Sequence, residues 1–115
     1  APKLVISKNI IKFGDVNSPY EVLEQRITLT NEGSTPLKVR AIESSSRAIV
    51  CNIEHDMTIM AGEQTDVTVR LRAAYIEDVD NPLTARLSVI TNDPMRPMQT
   101  VRVNAIPRGD IDWID

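Results

Sequence analysis

Leu23-Glu24-Gln25-Arg26-Ile27-Thr28-Leu29-Thr30 is the stretch that decides the fold. Its odd positions are mainly apolar and its even positions polar or charged, the alternation of a strand that lays one face on a core. Val67-Thr68-Val69-Arg70-Leu71-Arg72, Ala85-Arg86-Leu87-Ser88-Val89 and Val101-Arg102-Val103-Asn104-Ala105 repeat it. Shorter apolar segments at 4–6, 10–13, 37–42, 49–53 and 57–59 predict further strands. The intervening residues are turn formers: Asn31 to Pro36, Ala61-Gly62-Glu63, Asp80-Asn81-Pro82, and Asn92-Asp93-Pro94 with Pro97. No apolar i, i+3, i+4 stripe lasts three turns, so helix is expected as at most one turn near 73–78.

Seven to nine short strands with turns between them predict an all-β, immunoglobulin-like antiparallel β-sandwich. A parallel sheet, buried on both faces, would read as continuous apolar runs instead. The sandwich is expected over residues 1–109, followed by an acidic C-terminal tail or linker at 110–115 that alternates acidic and bulky apolar residues.

The 115 residues suffice for one core. Aromatics are only 3%, so Val, Ile, Leu and Ala must fill it. Net charge is -3, and Asp110, Asp112 and Asp115 account for all of it, leaving 13 basic against 13 acidic residues in positions 1–109. That balance, with so few rings to stack on bases, argues against nucleic acid as a partner. No apolar run approaches the roughly 18 residues of a membrane span, and no membrane insertion is expected. Cys51 has no second cysteine to bridge and reads as a small core residue.

The segments Ile27-Thr28-Leu29-Thr30-Asn31-Glu32-Gly33-Ser34-Thr35-Pro36-Leu37, Gly62-Glu63 before Val67-Thr68-Val69, and Leu87-Ser88-Val89-Ile90-Thr91-Asn92-Asp93-Pro94 together resemble the Ig-like ASH domains, named for ASPM, SPD-2 and hydin. They are similar also to the bacterial domain of unknown function DUF1573, which is often found in exported proteins. The resemblance implies an Ig-like interaction domain and points to export, periplasmic or at the cell surface. The start at Ala1-Pro2 without a Met fits a processed precursor and equally a domain excised from a longer chain. Where many bacterial members carry a Cys-Gly-Cys motif, this chain has Glu43-Ser44-Ser45-Ser46-Arg47, so no thiol or metal role carries over. Asn31 and Gly33 are expected to supply the positive φ of a tight reversal.

No catalytic, cofactor or metal site is expected. His55 lies between Glu54 and Asp56, but neighbours on a strand point to opposite faces and cannot converge on one ion. Glu77, Asp78 and Asp80 lack the spacing of a calcium loop. Ser44-Ser45-Ser46 has one histidine in the whole chain to serve it. With Leu37, Val39, Leu87, Val89, Val101 and Val103 inward, Lys38, Arg40, Arg86 and Arg102 share the outward face of one sheet. These four, with Trp113 in the tail, are the candidate partner-binding residues.

The functional expectation is a non-catalytic interaction or spacer module of an exported or cell-surface protein. It would bind a protein partner, or a neighbouring domain of its own polypeptide, through a sheet edge, loops or the basic face. Self-association through the C-terminal tail is a further expectation. The alternative is an accessory carbohydrate- or small-ligand-binding domain, against which the scarcity of aromatics counts.

Overall fold

The computed structural model describes residues 1–53 and 55–108. Among the described residues nine strands run in chain order: β1 (Leu4–Ile6), β2 (Ile10–Val16), β3 (Val22–Asn31), β4 (Leu37–Ser44), β5 (Ile49–Cys51), β6 (His55–Ile59), β7 (Gln64–Arg72), β8 (Leu83–Thr91) and β9 (Met98–Pro107). A single 3-10 turn, Ala73–Tyr75, follows β7. The strands form a four-stranded sheet in the order β1-β3-β7-β5 and a five-stranded sheet in the order β2-β9-β8-β4-β6.

Alternation builds the core as the sequence predicts. Ile27 and Leu29 of β3 and Val67, Val69 and Leu71 of β7 are buried from one sheet. Leu37, Val39, Leu87, Val89, Val101 and Val103 are buried from the other. Each such side chain contributes about 1.5–3 kcal/mol when removed from water, which is what sets the register of its strand. Cys51 is half-buried and packs against this core. Near the 3-10 turn, the Tyr75 ring lies under two guanidinium groups, Arg72 at 4.1 Å and Arg47 at 5.3 Å.

In two places the periodicity breaks. In β4 a register shift lies between Val39 and Ala41, so the buried phase moves from Leu37 and Val39 to Ile42. The extra residue is a β-bulge, and it keeps both ends of the strand on the core. The second break concerns direction. Among the described pairings the sandwich is antiparallel except at β2 and β9, which run parallel. β1 pairs with β3 in one sheet, and the chain then crosses to the other sheet to become β2. The crossing carries the chain forward without reversing it, and an alternating pattern holds no information about that.

Buried polar side chains fix the crossing. Leu4 donates its N–H to Asp93 Oδ2 at 3.0 Å, and its carbonyl accepts from Gln99 Nε2 at 2.9 Å. Asn31, fully buried, accepts from Lys3 N and Gly33 N and donates to the carbonyls of Thr35 and Ile59. Neither Asn31 nor Gly33 adopts positive φ, contrary to the expectation from their turn-forming character; Gly14, Gly62 and Asp56 do. Asn31 occupies the inward phase of β3 and works through its amide. Gly33 is needed because the N-terminal segment passes over it: a Cβ there would stand 2.6 Å from Lys3 N and 2.7 Å from Pro2 Cα.

Asp93 is 3% exposed, and its two oxygens serve the N–H groups of Leu4, Met95 and Arg96. Burial alone would push its carboxyl up; those three donors and the charge of Arg96 outweigh it and hold the pKa below the ordinary 3.8. A carboxyl depressed in the folded state stabilises the fold above its unfolded pKa of about 3.9, and the contribution is lost as the pH falls through the folded value. Asp93→Ala should therefore cost about 2–3 kcal/mol near neutral pH, one buried N–H group, that of Leu4, and two partly buried ones losing their acceptor. In urea titrations the gap to the parent chain should narrow as the pH is taken from about 7 to about 3. A gap independent of pH would show that the charge of Asp93 does not contribute.

Candidate functional site

The outward face of the five-stranded sheet carries all four bases expected there, in two groups. Arg86 on β8 and Arg102 on β9 are in direct register. Lys38 and Arg40 lie on β4 beside the end of β8, where Val39 pairs with Thr91 and Ala41 with Ile90. At about 3.3 Å per residue, the four or five positions from Arg86 to that level separate the groups by roughly 15 Å. Glu43, in register with Ser88, stands between them. Trp113 lies outside the described residues.

The Arg86–Arg102 pair is unusual in its geometry. Arg86 N–H turns away to Ser45 Oγ and Arg102 N–H turns away to the carbonyl of Asn9, so the two residues do not bond one another across the ladder. Such pairs bring side chains closest, with Cα atoms about 4.5 Å apart. Among the described residues, ion pairs join Arg70 to Glu24 and Arg108 to Asp15, and none reaches Arg86 or Arg102. Like charges facing each other on adjacent strands destabilise the sheet. The loop after β8 adds a third base: Asp93 takes the N–H of Arg96, and Arg96 lines the same shallow depression of about 530 Å³ as Arg86, Arg102, Ile10, Met98 and Thr100. Arg96 sits in a loop without periodicity, so alternation could not find it.

Beside these bases the edge of β9 is open. β2 covers β9 only from Arg102 to Pro107, because the residues before Ile10 are still crossing from the other sheet. The pairs Arg86–Arg102 and, one phase off, Thr91 N–H to Pro97 O fix the ladder alternation. That alternation turns the main-chain N–H and C=O of Thr100 and Met98 outward, away from β8. Among the described residues nothing bonds these outward groups, and both residues are exposed. On the inner side of this open stretch runs a groove of about 790 Å³ bordered by Leu4, Ile6, Pro94, Met95, Gln99 and Val101. Met95 is 86% exposed at its rim.

The other residues weighed for chemistry are placed apart from this edge. His55 Nδ1 stands 3.2 Å from Asp56 Oδ2 on exposed β6, and Glu54 lies outside the described residues. Asp78 accepts from Asp80 N and Asn81 Nδ2, closing a loop turn; the Asn81 bond first and then the backbone bonds lower its pKa. Ser44, Ser45 and Ser46 bond main-chain groups around the β4–β5 corner. Among the described residues no group of three His, Cys, Asp or Glu converges as metal ligands would. No helix among them is long and apolar enough to cross a membrane.

Residues 2–105 match the model of a family described as HYDIN/CFA65/VesB-like, Ig-like domain. No curated protein sequence matches the chain. Among solved structures, a protein of unknown function from Porphyromonas gingivalis W83 superposes with a TM-score of 0.77 at 19% identity, over 91% of this chain and 46% of that one. The ASH/PapD-like domain 7 of human CEP192 gives 0.65 at 14% identity, over 98% of this chain and 87% of that one. The periplasmic chaperone SfaE gives 0.69 at 7% identity, over 93% and 59%. The chain thus spans less than half of the Porphyromonas protein. At these identities the structures share the fold, and the ASH resemblance read from Ile27 to Leu37, from Gly62 to Val69 and from Leu87 to Pro94 agrees with them.

Relieving the Arg86–Arg102 contact should stabilise the isolated chain. Arg86→Thr, a good strand residue, is expected to raise stability by about 0.2–1 kcal/mol in low salt, with the gain shrinking as salt screens the repulsion. Denaturant titrations at two ionic strengths measure it, and a loss of stability would mean that the pair is satisfied in a way its geometry does not provide.

Proposed function

We propose that this chain, which belongs to the HYDIN/CFA65/VesB-like Ig-like domain family, is a non-catalytic protein-interaction module that takes an extended, acidic protein segment as an added strand at β9. The observation that carries this reading is the open main chain of Met98 and Thr100 lying between a largely apolar groove and three arginines, of which Arg96 borders both. Strand addition gains affinity from backbone hydrogen bonds and specificity from alternate side chains. Here one alternate set would meet Arg86, Arg96 and Arg102, and the other would enter the groove by Leu4, Ile6 and Met95. The like-charged pair costs stability in the free protein and is offset only when carboxylates arrive, the pattern of a surface kept for binding. The Ig-like architecture, shared with a periplasmic chaperone, supports placing the module in an exported protein.

Selection of a random twelve-residue peptide library against the immobilised chain tests this. Recovered peptides should alternate acidic and apolar residues, perturb the amide signals of Met98 to Arg102, and bind more weakly as salt rises. Arg86→Glu with Arg102→Glu should abolish their binding while leaving the fold intact, both side chains being exposed. Peptides that map to another edge, or that ignore the charge reversal, would refute the assignment.

A further inference from the structure

We infer that the segment occupying the β9 edge is residues 109–115 of a second copy of this chain, which makes the edge a head-to-tail self-assembly site; this rests on the strand-addition reading above. The argument is complementarity on two faces at once. Gly109-Asp110-Ile111-Asp112-Trp113-Ile114-Asp115 contains three carboxylates and no base. Drawn out as a strand, it places Asp110 and Asp112 on one side and Ile111 and Trp113 on the other. The edge offers the matching pair of surfaces in the same order: arginines outward, groove inward. Asp110 and Asp112 supply the carboxylates that Arg86 and Arg102 lack among the described residues, and Trp113 supplies a large apolar side chain for the groove beside Pro94 and Met95.

The donor must be another molecule. Arg108 follows the far end of β9, eight strand positions from Thr100, or about 27 Å. Four residues lead from Arg108 to Asp112 and span at most about 14 Å. That end of the edge is, besides, already occupied by β2 as far as Pro107. A tail that leaves one end of the sandwich and docks at the other end of the next makes a heterologous contact, which propagates head to tail as an open filament unless its rotation closes a ring.

Light scattering of the full chain over a wide concentration range, read with the emission of Trp113, tests the inference, since Trp113 is the single tryptophan. Mean mass should rise with concentration, and the emission should shift to shorter wavelength as the ring enters the groove. Arg86→Glu with Arg102→Glu should weaken association about tenfold or more, and Asp110→Lys with Asp112→Lys should do the same. The chain carrying all four reversals should regain association, which no general loss of folding would produce; circular dichroism of each variant checks the fold. A chain that stays monomeric with water-exposed emission, or association indifferent to both reversals, would overturn the inference. Library peptides that still mapped to Met98–Arg102 in that event would leave the edge assignment standing and remove only this occupant.

Discussion

The two hydrogen bonds that hold Leu4, from its N–H to Asp93 and from Gln99 to its carbonyl, are the constraint on which the rest of the structure depends. Leu4 belongs to one sheet, whereas Asp93 lies in the loop after β8 and Gln99 at the start of β9, two strands of the other. The bonds therefore join the two layers through polar groups at the edge of the core. An uncovered strand edge between two sheets would leave main-chain groups buried without partners, at about 1–3 kcal/mol each. Side chains from the opposite sheet remove that cost at β1, and Asn31 removes it at the adjoining corner with all four of its amide hydrogen bonds.

Sealing β1 in this way has a geometrical consequence for β9. The chain leaves β1, crosses, and reaches the second sheet only at Ile10, opposite Arg102. The first four residues of β9 are therefore flanked by the crossing rather than by a strand. The fold thus closes one edge with buried amide and carboxylate groups and exposes the neighbouring one. Arg86, Arg96 and Arg102 surround the exposed stretch, and the carboxylate closest in purpose, Asp93, is already committed to three backbone donors. Its charge serves the loop and leaves the two strand arginines without an ion-pair partner among the described residues.

Period-two patterning made the nine strands and the inward set legible, because burial acts on each side chain locally. The direction of a single pair was not legible. Alternation argues against a parallel sheet covered on both faces, but one parallel pair at the edge of a sandwich buries only one face and reads like its antiparallel neighbours. The β2–β9 pairing therefore had no signal in the chain. Asn31 and Gly33 were identified as important for the wrong reason. Turn propensity describes what the backbone of such residues tolerates, whereas here the amide of Asn31 and the missing Cβ of Gly33 are set by contacts with residues about thirty positions away. The basic face was found by counting outward positions, but the bulge in β4 and the offset of β4 against β8 divided it. Arg96 joined it through a loop bond to Asp93 that no sequence period encodes.

The four outermost strands show why the start of β9 stands apart. β1 and β5 are three residues each, and β5 ends where Asn52 turns its side chain onto Thr68 N–H. β2 breaks its register between Lys12 and Asp15 with Gly14 at positive φ, and β6 carries Asp56 at positive φ. Shortness, bulges and inserted charges are the means by which sheets avoid accidental pairing. β9 has none of them between Met98 and Thr100; it is regular there, it continues into a fully paired strand, and its backbone groups face outward. In the proposed strand addition, such an edge would be selective: basic or neutral strands would leave the arginines desolvated and unpaired, and strands that bring carboxylates would be admitted. On that proposal the same bases would guard the edge against indiscriminate pairing and select its partner by charge.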